Sequence, residues 1–330
     1  MISQSLLEKF ELDMNLEVHP ETQVPTALIS PLYGRAEILE GIPRFMPEGS
    51  NYTSNFGFQW KKFAKTQLDS YAGITLSRDR LFKDSGWTEN ELKEKKVLEV
   101  GSGAGRFTEI LLGTGALVYS FDYSEAVEAN FANHGRHPNL FLFQGSVYDL
   151  PFPADFFDYV FCFGVLQHTP DPLMALQKMV QHMKPAGKIA VDNYPTGSSA
   201  KRKRPNVTYR KVAKRLSFLT SPQLFRFVWF YHQFWFPIDM LIRTKLPPTI
   251  YPKVLYYIGI PCFNYVHLIK LPYKQLKEWA ILDTFDALGA KYDYPVTCEA
   301  FQEMGRKVNM KNVTVDIAFN GFVLKGAGKV

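Results

Sequence analysis

Residues 97–107 read VLEVGSGAGRF, a short apolar run carrying one acid, then glycines at three alternate positions, then the opening of a helical pattern. Few folds accept such a stretch. The glycines Gly101, Gly103 and Gly105 permit a sharp strand-to-helix turn and leave bare backbone against which a ligand could lie. The run therefore predicts an α/β chain with a ligand site at the carboxyl ends of its strands.

The residues on either side extend this reading. From 97 to 191 short apolar runs alternate with helix-period stretches, the pattern of a parallel sheet with crossover helices. Strands are expected at 97–100, 117–121, 140–143, 159–163 and 188–191. Asp171 and Pro172 supply an N-cap and a first helical residue, followed by Leu173, Leu176, Val180 and Met183 at helical spacing, with Pro185 and Gly187 as the stop. Near the C-terminus, 313–317 and 322–324 flank Asn320-Gly321 and predict an antiparallel hairpin. The expected fold is a Rossmann-like, doubly wound sheet, mostly parallel, with that hairpin closing it. An N-terminal cap region (1–90) precedes the core (91–195). A basic and aromatic lid insertion with a substrate loop (196–295) separates the core from its closing helix and hairpin (296–330).

Composition sets the outer limits. With 330 residues, 46% hydrophobic and 21% charged, the chain can bury a substantial core. Its net charge of +6 is local, because 201–215 (KRKRPNVTYRKVAKR) holds eight basic residues and no acid. A nucleic-acid-binding coat over the whole surface is thereby disfavoured. Cys162, Cys262 and Cys298 are too dispersed for a disulfide framework or a zinc knuckle, and no metal is expected. Acids interrupt the first eighteen residues, no apolar run reaches spanning length, and a cytoplasmic location follows, with or without contact at a membrane surface.

Arg106 occupies the position that a dinucleotide-binding loop would fill with its last glycine. With Glu99 two residues ahead of the loop, the pattern resembles motif I of the class I S-adenosylmethionine-dependent methyltransferases. Asp122 closing the second strand, QGSVYDLPF at 144–152, FFDYVF at 156–161 and VLQHTPD at 165–171 follow in the same order as in the small-molecule members. The resemblance covers about a third of the chain. It implies S-adenosylmethionine as cofactor, with Glu99 orienting the amino-acid end and Gly101, Ser102 and Gly103 passing along it. Asp122 would hold both ribose hydroxyls with Tyr123 beside the adenine. Backbone around Ser146 and Val147 would read the adenine edge, and Phe163 and Gly164 would meet the methionine portion. Ser146 stands where many relatives carry Asp, so Asp149 is an alternative acceptor.

Methyl transfer needs an in-line nucleophile, and a base only when the acceptor holds its proton at neutral pH. His168, after the fourth strand, and Asp192 and Tyr194, after the fifth, are the catalytic candidates. For His168 a place stacked near the cofactor or capping a loop is equally consistent. Gln59 and Trp60 in NFGFQW, and Asp283, Thr284, Asp286, Tyr292 and Tyr294 in the acid- and tyrosine-rich segment 278–295, are the substrate-binding candidates. Nine aromatics in 218–236 form a helix with a broad aromatic face. Next to the basic run it reads as a lid on the core or as a peripheral membrane contact through 201–236. The acceptor implied is a small molecule, a sugar or a lipid-linked intermediate. An RNA methyltransferase using the basic run and a non-catalytic cofactor-binding protein are the rivals.

Overall fold

A computed structural model describes residues 2–46, 53–196 and 206–329. The Gly/Ser bend at 197–200 and the first residues of the basic run, 201–205, lie outside them. Eleven strands form one sheet among these residues: β1 (Asn15–Val18), β2 (Pro25–Ser30), β3 (Gly34–Leu39), β4 (Ile42–Phe45), β5 (Lys96–Val100), β6 (Leu117–Asp122), β7 (Leu140–Gly145), β8 (Phe157–Cys162), β9 (Met183–Asn193), β10 (Thr314–Ile317) and β11 (Phe322–Ala327). Their order is β1-β2-β3-β4-β7-β6-β5-β8-β9-β11-β10.

The run β7-β6-β5-β8-β9 is parallel throughout, and β11 lies antiparallel between β9 and β10. Parallel strands covered by helices on both faces need apolar residues at successive positions, and all six residues of β7 are buried. The two faces carry separate clusters. Leu98, Val100, Phe121 and Phe143 pack with the helices Pro172–His182 and Cys298–Lys307, whereas Val97, Val118 and Phe161 pack with Leu76–Ser85 and Arg106–Gly113. The N-terminal residues extend the same sheet, because β4 pairs with β7 through Arg44 opposite Gln144 and Phe45 opposite Gly145.

The chain lays β6 and β7 on one side of β5, then β8 and β9 on the other, so a crevice opens outside the carboxyl ends of β5 and β8. That switch point positions the site.

Local signals held with adjustments. Asp171 caps its helix by accepting from the Met174 amide at 3.0 Å. That helix ends at His182, ahead of Pro185 and Gly187, because the chain enters β9 at Met183. The closing hairpin forms, but of the Asn320-Gly321 pair only Gly321 has positive φ.

The lid consists of the helices Asn206–Leu216, Ser221–Lys245, Tyr251–Ile258 and Tyr273–Gly289. Its acid-rich part is a helix and not the expected loop: Asp283 and Asp286 fall three residues apart on one face of Tyr273–Gly289, and Thr284 turns away. In Ser221–Lys245 the inward residues are Leu224, Val228, His232, Trp235, Phe236 and Asp239. Phe227 and Phe234, placed by the sequence on that aromatic face, are exposed.

Candidate cofactor and active site

The turn after β5 is tied to β6 by its own amides. Gly101 and Ser102 both donate to the Phe121 carbonyl at 2.9 Å, and Gly103 donates to Asp122 Oδ2 at 2.9 Å. Gly101 has φ of +75° and Gly103 of +53°, in the left-handed region. A Cβ on Gly101 would lie 2.3 Å from a Val165 methyl, and one on Gly103 would lie 3.1 Å from the Trp60 ring. The bare backbone is therefore partly covered by protein side chains, and only the remainder is left for a ligand.

The two motif carboxylates differ. Glu99 is 2% exposed and accepts from the Thr108 hydroxyl at 2.6 Å and the Ser120 hydroxyl at 2.7 Å. Burial pushes its carboxyl up to about 7, against the pull of those two hydroxyls. Glu99 is not among the residues lining the cavity at the switch point; it braces the turn from beneath. Asp122 does line that cavity. Its Oδ1 accepts from the Ser124 amide at 2.8 Å and hydroxyl at 2.6 Å, and its Oδ2 accepts only from Gly103. Burial raises its pKa while these donors oppose the rise. A carboxylate has about four acceptor sites, so Asp122 has room for one further hydroxyl, at Oδ2, where the resemblance implies two.

The cavity has a volume of about 530 Å³, within the range of small-molecule sites. Gly101, Ser102, Gly103, Asp122, Tyr123 and Val147 line it on the β5–β6–β7 side, and Phe163, Gly164 and His168 on the β8 side. Gln59 and Trp60 close it from the helix Ser54–Lys62, and Tyr194, Asp283 and Asp286 face it from the lid side. Ser146 is turned away: its hydroxyl accepts from the Tyr148 amide at 3.2 Å, holding a tight turn. Neither Ser146 nor the alternative Asp149 lines the cavity.

The catalytic candidates separate on geometry. His168 Nδ1 lies 2.8 Å from the Tyr292 carbonyl oxygen. A carbonyl only accepts, so Nδ1 carries the hydrogen in the neutral ring and Nε2 is left as the acceptor. Nε2 is buried with no hydrogen-bond partner among the described residues. Asp192 is committed elsewhere: it forms an ion pair with Arg80 and accepts from the Gly164 amide at 2.5 Å, and it does not line the cavity. Burial raises the Asp192 pKa, with Arg80 as the main opposing influence. The Tyr194 phenol lines the cavity, and burial together with nearby Asp286 and Asp192 drives its pKa far upward, so it is a hydrogen-bonding group and a poor base.

The substrate candidates separate too. Gln59 donates to Asp286 at 3.2 Å, and Gln67 donates to Asp283 at 3.0 Å. The Tyr265 hydroxyl also donates to Asp283, whose pKa burial lifts to about 7. Thr284 is buried off the cavity, accepting from the Phe263 amide at 3.2 Å. Tyr292 and Tyr294 stack on each other outside it, and Tyr292 acts through its carbonyl.

Arg80, Arg106, Tyr209 and Tyr265 also line the cavity and were not anticipated as site residues. Arg106 had a local signal, since a cation directly after the glycines must lie beside whatever the turn holds. For Tyr209 and Tyr265 no local signal exists, because the fold-back of the lid alone brings them in.

Six lining residues carry buried polar atoms without a hydrogen-bond partner: Gln59 Oε1, Arg80 Nε, Ser102 Oγ, Arg106 Nη2, His168 Nε2 and Tyr209 OH. Native structures leave few such groups unsatisfied, and clustering around one cavity fits a polar ligand. The set suits S-adenosylmethionine: the Arg106 cation and the Ser102 hydroxyl for a carboxylate, Asp122 for a ribose hydroxyl, and Tyr123 and Val147 on the same flank for a base.

Parts of the chain are similar to known proteins. Residues 98–191 match the family described as "Methyltransferase domain". Over 100 residues the chain is 35% identical to a ubiquinone biosynthesis O-methyltransferase of Coxiella burnetii, covering 30% of this chain and 43% of that protein. Over 110 residues it is 33% identical to a tRNA U34 carboxymethyltransferase of Ruthia magnifica, covering 31% and 33%. The chain thus spans less than half the length of these curated relatives. A SAM-dependent methyltransferase structure from Aquifex aeolicus aligns over 82% of this chain and 97% of its own, at 13% identity and a TM-score of 0.42. The matched core is a methyltransferase domain of the class I fold, and S-adenosylmethionine is the cofactor of that class.

Proposed function

We propose that the chain transfers a methyl group from S-adenosylmethionine to a hydroxyl of a small-molecule acceptor, with His168 as general base. The observation that carries this reading is the buried, partnerless Nε2 of His168 on the cavity wall, with its tautomer set by the Tyr292 carbonyl.

When bound, the cofactor supplies an electrophilic methyl on a sulfonium. The residues do the rest. Asp122, Ser102 and the turn amides hold one end of the cavity, and Arg106 offers a cation to a carboxylate. Gln59, Tyr194, Tyr209 and Asp286 surround the other end with donors and acceptors suited to a hydroxylated acceptor, a sugar or a lipid-linked intermediate. His168 Nε2 takes the proton of the reacting hydroxyl, a role worth about 10²–10⁴ in rate. The lid helices cover the cavity and limit water.

An unplugged cavity beside the glycine turn, with His168, Asp286 and Tyr194 on its lining, supports this reading over the non-catalytic alternative. Titration with S-adenosylhomocysteine, then incubation of cofactor carrying a labelled methyl with lipid, small-molecule and RNA extracts, tests the reading. Expected are saturable binding and label in a small molecule or lipid. No binding by folded chain overturns the cofactor assignment, and label in RNA overturns the acceptor class.

A further inference from the structure

The outer surface of the lid is unlike the rest of the molecule. Phe230, Phe234 and Leu241 are 62%, 64% and 57% exposed and lie at i, i+4 and i+11 of Ser221–Lys245, so they form one stripe along the helix, widened by Phe227 and Ile238. Tyr257, on the neighbouring helix Tyr251–Ile258, is 84% exposed. Scattered exposed apolar residues need no explanation, but a contiguous aromatic strip does.

Charge says what covers it. Residues 201–272 contain thirteen Lys and Arg against one acid, leaving 25 basic and 31 acidic residues in the rest of the chain. That acid, Asp239, is buried and paired with Arg243 at 2.7 Å. Lys211, Lys214, Arg215, Arg226, Lys245 and Lys253 are all exposed. A second copy of so cationic a surface would be repelled, whereas an aromatic strip within a basic field matches an anionic lipid surface.

The cavity meets the surface on the same lid. Ile260 and Leu268 line it and are also exposed, giving it an apolar mouth, and the segment from Cys262 to Leu271 packs on the inner side of Ser221–Lys245. No described helix is long and apolar enough to cross a bilayer, so the contact is peripheral.

We propose that the lid seats the chain on an anionic bilayer through the Phe230–Phe234–Leu241 strip and its basic surround, with the apolar mouth of the cavity at the lipid. The docking stands independently of methyl transfer; only the delivery of an amphiphilic acceptor through the mouth rests on that reading.

Flotation of the full chain with phosphatidylcholine vesicles, with and without phosphatidylglycerol, tests it. Binding to the anionic vesicles, weakened by salt, is expected. Phe230→Ser/Phe234→Ser/Leu241→Ser should lower partitioning by about tenfold or more, and Lys211→Glu/Lys214→Glu/Arg215→Glu should abolish the anionic preference. Melting temperature and S-adenosylhomocysteine affinity should stay unchanged in both variants. No flotation of the wild type, equal flotation of the serine variant, or burial of the strip in a stable dimer by sedimentation would overturn the proposal. Absence of homolog binding with flotation intact would instead refute the methyl-transfer reading alone.

Discussion

Asp192, behind the cavity wall, forms a buried ion pair with Arg80, which lines it; their side chains are 1% and 3% exposed. Arg80 also stands near Asp84 and over the rings of Phe107 and Phe163. Removing one member of such a pair strands the other charge. Asp192→Ala should therefore destabilise the fold by about 3–5 kcal/mol, read as a lower urea midpoint at unchanged slope. A stability within error of wild type would return Asp192 to the list of candidate bases.

His168 gives the opposite expectation. It borders a cavity, and its ring is fixed by a backbone carbonyl 2.8 Å away. His168→Gln should lower the rate of methyl transfer by about 10²–10⁴ while leaving S-adenosylhomocysteine affinity and melting temperature near wild type. A parallel loss of cofactor affinity would make His168 a part of the binding wall. An unchanged rate would mean an acceptor that needs no base.

What the sequence made legible follows from range. The cap at Asp171 needs its neighbours alone, and the turn at Gly101–Gly105 and the carboxylate at Asp122 are written as short runs at the ends of adjacent strands, so each was readable. The strands of the core were readable because burial on both faces writes continuous apolar runs. The attachment of β4 to β7 was not, since it rests on two residue pairs a hundred positions apart. The lid was half legible: periodicity showed a helix at Phe227 and Phe234, but which face turns inward depends on packing against Phe285 and Leu288, far along the chain. The ion pair of Asp192 was not legible for the same reason, because its partner Arg80 comes from a helix that no local pattern links to β9.

Burial makes the site's acids a source of pH dependence. Asp283 is raised from its ordinary 3.8 to about 7, chiefly by desolvation. The folded state thus holds its proton more tightly than the unfolded state. Its contribution to stability is complete below about pH 4 and is lost as pH rises through 7. Glu99, raised to about 7, acts in the same direction. The apo chain should therefore melt at a lower temperature at pH 8 than at pH 5, and Asp283→Asn should reduce that slope. A stability that rises over this interval would show that Asp283 is ionised and paired.

Asp122 offers the sharpest test of the cofactor site, because its acceptor positions can be counted. Oδ1 is filled by Ser124 and half of Oδ2 by Gly103. Asp122→Asn keeps one oxygen for the Ser124 donors but loses the charge and replaces the other oxygen by an NH2 that can accept neither from Gly103 nor from a ribose hydroxyl. A hydrogen bond to a charged group contributes about 1.5–3 kcal/mol, so affinity for S-adenosylhomocysteine should fall by about 10- to 100-fold. A cycle with the 2′-deoxy and 3′-deoxy homologs separates the hydroxyls. With room for one, the substitution should lose its effect against one analogue and retain it against the other. Equal coupling to both would mean that the Gly103 amide gives way when the ligand binds, and no coupling to either would remove Asp122 from the ribose site.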